Sequence, residues 1–243
     1  MTKLALITGG NRGLGRSAAL HLARAGVDVI FTYRTHAEEA EAVVEEIEAL
    51  GRRAVAHQLD LADTASFPAF AESLRGETID FLVNNGGMSL GGMIEDVTEA
   101  DVDALFAVHF KGTLFLTQAL LPLIPEGGRI VNLSSGLARF TSPQRAAYGS
   151  IKGAVEVLTR YMAAELGPRG ITANVIAPGA VATDFSGGML RDNPQFQEHI
   201  ASLTALRRSA VADDIGPAIA SFLTGGFHWV TGERIEVAGG LHL

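Results

Sequence analysis

The sequence predicts an α/β protein, a doubly wound parallel sheet with helices on both faces. Short apolar runs of strand length alternate with longer stretches of helical periodicity along the chain, and such alternation builds parallel sheets. Hydrophobic residues make up 47% of the chain, as a sheet covered on both sides requires. The 243 residues suffice for one large domain, 1–243, and are short for two.

The elements come in order along the chain. Residues 4–8 form a short apolar strand that passes through a Gly-rich turn into a helix reaching residue 25, and 27–32 form the second strand. A charged helix over 37–50, a strand over 54–59, a helix over 64–75 and a strand over 79–83 continue the alternation. A long helix is expected over 100–121, then a strand at 129–133, a helix at 146–166 and a strand at 172–176. Between 183 and 208 the pattern loosens. Phe185-Ser186-Gly187-Gly188 offers backbone freedom and Asn193-Pro194 interrupts the residues beyond it, so 183–208 is expected to be a substrate lid. A helix over 213–223 and an edge strand at 234–237 close the fold before Ala238-Gly239-Gly240.

Composition excludes several functions. There is no cysteine, hence no disulfide, thiolate nucleophile or cysteine-ligated metal. The seven histidines are scattered without ligand spacing, so no metal is expected. A net charge of −8 argues against a nucleic-acid partner. No uninterrupted apolar run approaches membrane-spanning length and the first ten residues lack secretory-signal features. A cytoplasmic protein without membrane attachment is the expectation.

Thr8-Gly9-Gly10-Asn11-Arg12-Gly13-Leu14-Gly15 falls between the first strand and the first helix. There a backbone free of side chains lets a pyrophosphate approach the helix's amino end. The alternative is a plain strand-to-helix turn. The T-G-x-x-x-G-x-G spacing lacks the Gly-Lys-Ser/Thr ending of an ATP-binding P-loop. After the second strand the chain reads Phe31-Thr32-Tyr33-Arg34-Thr35, without the carboxylate that usually accepts from the ribose 2′-hydroxyl of NAD. Arg34 and Arg12 are instead suited to grip a 2′-phosphate, unless both are simply solvated, so NADP(H) is expected over NAD(H).

Tyr148-Gly149-Ser150-Ile151-Lys152 sets a phenol and an ammonium at i and i+4, on one face of a helix. The ammonium favours the phenolate and so moves the phenol toward a value useful near neutrality. Ser135 lies at the carboxyl end of the strand 129–133, the edge where open α/β sheets gather ligands, and its hydroxyl is suited to donate to a carbonyl oxygen.

The glycine spacing, the Asn132-Leu133-Ser134-Ser135 segment and the Tyr-x-x-x-Lys pair, in this order, resemble the short-chain dehydrogenase/reductase family. The resemblance implies a Rossmann-like fold and hydride transfer between NADP(H) and a carbonyl or alcohol substrate. Ser135 would bind the carbonyl, Tyr148 act as general acid and base, and Lys152 support it, with Ser134 structural. Gly9, Asn11, Arg12, Gly13, Leu14 and Gly15 would bind cofactor with Arg34, and Tyr148 and Lys152 would touch it too. Asp60-Leu61 resembles the segment beside the adenine, and Asn84-Asn85-Gly86-Gly87 the family's Asn-Asn-Ala-Gly element, where Asn85 and Gly86 are either contacts or turn formers. Pro178, Gly179, Val181 and Thr183 resemble the segment beside the nicotinamide, Thr183 being otherwise a helix cap.

His109 stands where the family usually has an asparagine of the proton relay, and either a relay or a packing role suits an imidazole there. Met88, Leu90, Met93, Leu137, Phe140, Phe185 and Met189 are candidate pocket residues, and Arg139 and Arg145 candidates for an acidic substrate group or carrier protein. The resemblance further implies a homotetramer. A 3-oxoacyl-carrier-protein reductase and a catalytically silent NADP(H)-sensing protein are the alternatives.

Overall fold

The computed structural model describes residues 2–243, and only residue 1 of the expected 1–243 domain lies outside them. The strands are β1 (Leu4–Thr8), β2 (Asp28–Tyr33), β3 (Ala54–Gln58), β4 (Phe81–Asn84), β5 (Arg129–Leu133), β6 (Thr172–Pro178) and β7 (Arg234–Val237). They form one sheet in the order β3-β2-β1-β4-β5-β6-β7, and every pairing is parallel. This is the Rossmann-like doubly wound arrangement. The order reverses between β1 and β4, where ligands of open α/β sheets bind at the carboxyl ends of the strands.

The helices are α1 (Gly13–Arg24), α2 (Ala37–Ala49), α3 (Phe67–Ser73), α4 (Glu99–Phe106), α5 (Gly112–Leu120), α6 (Ala146–Leu166), α7 (Met189–Asp192), α8 (Pro194–Leu203) and α9 (Ala212–Thr224). One face of the sheet buries Leu22 of α1, Val43 and Ile47 of α2, and Ile219 and Leu223 of α9 against Ile7, Phe31 and Val83. The other packs Phe67 and Phe70 of α3, Leu116 and Leu120 of α5 and Met162 of α6 against Leu6, Ile30 and Leu82. Because successive strand residues point to opposite faces, the five wholly buried residues of β1 serve both layers.

The sequence places most elements within a residue or two. The differences are local. The long helix expected over 100–121 contains a π-helical turn, Ala107–Lys111, between α4 and α5. The expected helix over 64–75 opens with a 3₁₀ turn, Thr64–Ser66, and β6 runs on through Pro178. Asn193-Pro194 starts a helix instead of interrupting one. Asn193 Oδ1 accepts from the Phe196 N–H at 3.0 Å and Pro194 takes the first helical position, where its missing N–H costs nothing. The helical stretch Glu99–Leu123, interrupted by Asp101, Asp103 and Lys111, is long and apolar enough, by length and composition, to cross a bilayer, and it buries Leu105, Val108, Leu116 and Leu120 inside the protein.

Candidate active site

One long cleft opens along the carboxyl ends of β1, β2, β4, β5 and β6. At one end lies the glycine turn. Gly9 and Gly13 take φ +67 and +56, left-handed values that glycine adopts freely. Helix α1 begins without a side-chain cap and with no acidic residue in its first turn, so its leading N–H groups face the cleft as an anion site. Gly9, Asn11, Arg12, Gly13 and Leu14 all line this end.

Gly15 does not. A Cβ there would come 2.1 Å from the Gly9 carbonyl oxygen, so Gly15 is where the turn packs on its own helix rather than part of the cleft wall. The Asn11 amide ties the turn to the Thr35 carbonyl at 3.2 Å and to Glu39 at 3.3 Å.

Arg34 comes directly after β2 and lines the same cleft as Arg12; both are exposed. Asp60, whose carboxylate accepts from the Ala62 N–H at 2.9 Å, and Leu61 form the adjoining wall with Asn85 and Gly86. The Asn85 amide donates to the carbonyls of Thr8 and Gly9 at 2.8 and 3.1 Å, and the Thr8 hydroxyl accepts from the N–H groups of Asn85 and Gly86. Asn84 points away from the cleft and donates to Thr117 at 3.0 Å and Asn132 at 2.8 Å.

The other end of the cleft holds Ser135, Tyr148, Lys152 and His109 together. Ser135 leaves β5 with extended backbone, and its oxygen accepts from the Leu137 N–H at 3.2 Å, so its proton is free to donate. Ser134 faces inward and donates to Glu156 at 2.7 Å, an acid also held by Arg234 at 2.7 Å. Tyr148 and Lys152 lie one turn apart on α6, both buried. The Lys152 ammonium donates to the Leu133 carbonyl at 2.7 Å and sits 5.8 Å from the centre of the Tyr148 ring.

Here the electrostatics differ from the sequence expectation. Burial pushes the phenol of Tyr148 well above the usual tyrosine range, against the opposing pull of Ser135 and the charge of Arg145. Burial also brings Lys152 down to about 7. Desolvation of both groups thus outweighs the attraction of the ammonium for a phenolate, and Tyr148 is held as a proton donor across neutral pH.

His109 sits in the π turn, a feature often found at functional sites. Its imidazole meets the Tyr148 ring edge-on with centroids 5.5 Å apart, and Nε2 lies 2.7 Å from the Met88 carbonyl oxygen and 3.2 Å from the Met88 amide nitrogen. Burial, assisted by the charge of Lys152, lowers it to about 3, so the ring is neutral. A Cβ on Gly87 would come 2.5 Å from the imidazole, which explains why glycine stands there.

Pro178, Gly179, Val181 and Thr183 form the wall opposite. The Thr183 hydroxyl accepts from the Phe185 N–H at 3.3 Å and keeps its proton to donate. Of the candidate pocket residues, Met88, Leu137, Phe185 and Met189 line the cleft; Leu90, Met93 and Phe140 do not. Phe140 instead packs on His242, centroids 4.6 Å apart, Leu90 packs beside Leu105 and Ile151, and Met93 is exposed. Sequence reasoning missed Leu190 and Phe196, which complete the wall; the Asn193-Pro194 helix start was the available signal for Phe196.

The described residues contain no cluster of three metal-ligating side chains. The uncapped helix start, the glycine-rich turn, and Arg12 and Arg34, which have no carboxylate partner among the described residues, fit a phosphorylated dinucleotide. A family model described as enoyl-(acyl carrier protein) reductase matches residues 9–242. The chain is 34% identical over 247 residues to the 3-oxoacyl-[acyl-carrier-protein] reductase FabG of Staphylococcus aureus, covering 100% of this chain and 99% of that one. It is 38% identical to the promiscuous reductase LugOII, which catalyses keto-reduction at C1 during lugdunomycin biosynthesis, with a TM-score of 0.92 over 99% of this chain and 98% of the other. A short chain dehydrogenase from Burkholderia cenocepacia J2315, solved in complex with NADP, is 36% identical with a TM-score of 0.92 over the same shares.

Proposed function

The chain belongs to the short-chain dehydrogenase/reductase family, and on that premise we propose that it is an oxidoreductase reducing a ketone or aldehyde to an alcohol with NADPH. The observation that carries this reading is the convergence of Ser135, Tyr148 and Lys152 on one cleft whose far end is an uncapped helix start.

NADPH, when bound, supplies the hydride. The glycine turn and the first N–H groups of α1 bind its pyrophosphate, and Arg12 and Arg34 bind the 2′-phosphate as charge-assisted donors. Asp60, Leu61, Asn85 and Gly86 flank the adenosine. Pro178, Gly179, Val181 and Thr183, which line the cleft, would hold the carboxamide. Ser135 donates to the substrate oxygen and stabilises the charge that builds there. Tyr148 gives its proton to that oxygen, and Lys152 sustains the transfer. His109 acts as a neutral positioning residue through Met88. Burial keeps Tyr148 protonated, the state in which it can give a proton to the substrate oxygen.

Segment 183–208 is read as the lid over the substrate, within a single domain. Phe106, Phe115, Val157 and Tyr161 lie exposed on α4, α5 and α6, which supports a homotetramer packed through these helices. A cytoplasmic location, a small-molecule substrate and no membrane attachment complete the reading, and the net charge of −8 argues against a nucleic-acid partner. The similarity to a 3-oxoacyl-[acyl-carrier-protein] reductase over the whole chain favours a 3-oxoacyl thioester as the second reading. Absorbance at the nicotinamide band, monitored over a ketone panel with NADPH and NADH side by side, tests the proposal. NADPH oxidation with at least one ketone is expected. Oxidation of neither cofactor across a broad panel would favour a silent sensor instead.

A further inference from the structure

Arg145 has no part in the mechanism above, yet it lines the same cleft as Tyr148 and its charge acts on the phenol. It is the residue before α6. The backbone leading to it is pinned, with the Gly92 N–H donating to the Gln144 carbonyl at 3.1 Å and Gln144 at φ +66, a conformation few side chains adopt. Its Nη1 donates to the Ser89 hydroxyl at 2.8 Å. That neutral contact leaves most of the five guanidinium donors unused.

Apart from Arg12 and Arg34 at the cofactor end, the arginines near the cleft are neutralised. Arg139 pairs with Glu236 at 2.8 Å, which removes it as the candidate acid-binding residue, Arg191 pairs with Asp184 and Asp192, and Arg234 with Glu156. No such pairing holds Arg145 among the described residues. Its neighbours along the substrate end of the cleft are Met88, Leu137, Phe185 and Met189. Ser89, Ser186 and Asp184, the last held by Arg191, are polar neighbours on the same wall. A half-buried guanidinium among these residues pairs strongly with a carboxylate, which accepts two parallel N–H bonds in the geometry that arginine presents. A neutral ketone makes no such pairing.

We propose that Arg145 is the specificity-determining residue of this site, selecting keto acids whose carboxylate lies a few bonds from the reacting carbonyl. The proposal rests on the reductase reading for its kinetics, but it concerns binding and is separable from turnover.

The test compares a γ-keto acid with its methyl ester, by kcat/KM with NADPH, in the wild type, Arg145→Gln and Arg145→Lys. The wild type is expected to favour the acid about tenfold or more. Arg145→Gln should cut the acid-to-ester ratio by about tenfold, chiefly through KM for the acid, and Arg145→Lys should keep part of it. An unchanged ratio in Arg145→Gln, or a wild type that prefers the ester, overturns the proposal. Calorimetry with the corresponding saturated acid and its amide supplies the second arm. Tighter binding of the acid that weakens in Arg145→Gln and partly recovers in Arg145→Lys supports the role even where neither ketone turns over, an outcome that would count against the reductase reading alone. Equal binding of acid and amide by the wild type overturns it.

Discussion

Tyr148 and Lys152 show how strongly burial governs the chemistry of single residues. An unfolded lysine holds its proton to an ordinary value of 10.5, whereas Lys152 releases it near 7. The folded state therefore binds fewer protons between about pH 7 and 10.5, so burying Lys152 costs stability below that window and the cost lessens as pH rises through it. Urea denaturation should show the wild type gaining stability relative to Lys152→Met between pH 6 and pH 9, and a falling difference would contradict the assignment.

For His109 the lowering to about 3 means that the ring rests neutral throughout the working range. His109→Asn should then lower kcat while leaving both limbs of the pH-rate profile where they were. A displaced limb would give the imidazole a proton role. Arg34→Asp should reduce the NADPH-over-NADH preference in kcat/KM by about tenfold or more, since it replaces a charge-assisted contact with repulsion; an unaltered preference would remove Arg34 from the 2′-phosphate site. These residue types and spacings are legible in the sequence. Their protonation states are not, because desolvation depends on what the fold packs around them: the ammonium beside Tyr148 is visible at i+4, whereas its engagement by the Leu133 carbonyl is not.

At the scale of elements, the turn between β1 and α1 depends on close backbone approach. A Cβ on Gly15 would meet the Gly9 carbonyl oxygen at 2.1 Å and the Asn85 amide at 2.6 Å, both fixed by hydrogen bonds. Gly15→Ala should therefore destabilise the protein by roughly 1–3 kcal/mol and weaken dinucleotide binding, as seen by thermal melting with and without NADPH. A variant that melts and binds like the wild type would refute the packing role. Helix α6 is legible to the residue because its flanks and periodicity agree. The π turn around His109 is not, since the 3.6-residue pattern continues across it and the extra residue shows only in the hydrogen bonds. Asn193-Pro194 carries a helix-start signal as clear as its loop signal; the neighbouring glycines tilt the reading toward the wrong one.

Over the whole molecule, strand alternation foretells a parallel doubly wound sheet, and with it the two buried layers on its faces. What alternation does not reveal is the polar ladder inside one layer, where Asn84 donates to Asn132 at 2.8 Å and Asn132 to Thr159 at 2.9 Å. That pairing joins residues 48 apart in sequence and depends on strand register. The ladder anchors β4 and β5 to α5 and α6, and so carries Ser135 and Tyr148 on a common support. Catalysis depends on that support presenting a proton-donating phenol to a bound dinucleotide. The most direct check is single-turnover reduction of a ketone by NADPH in Tyr148→Phe, with NADPH affinity measured in parallel. Loss of about a hundredfold or more in rate, with affinity preserved, is the predicted result; reduction at a rate near that of the wild type would contradict it.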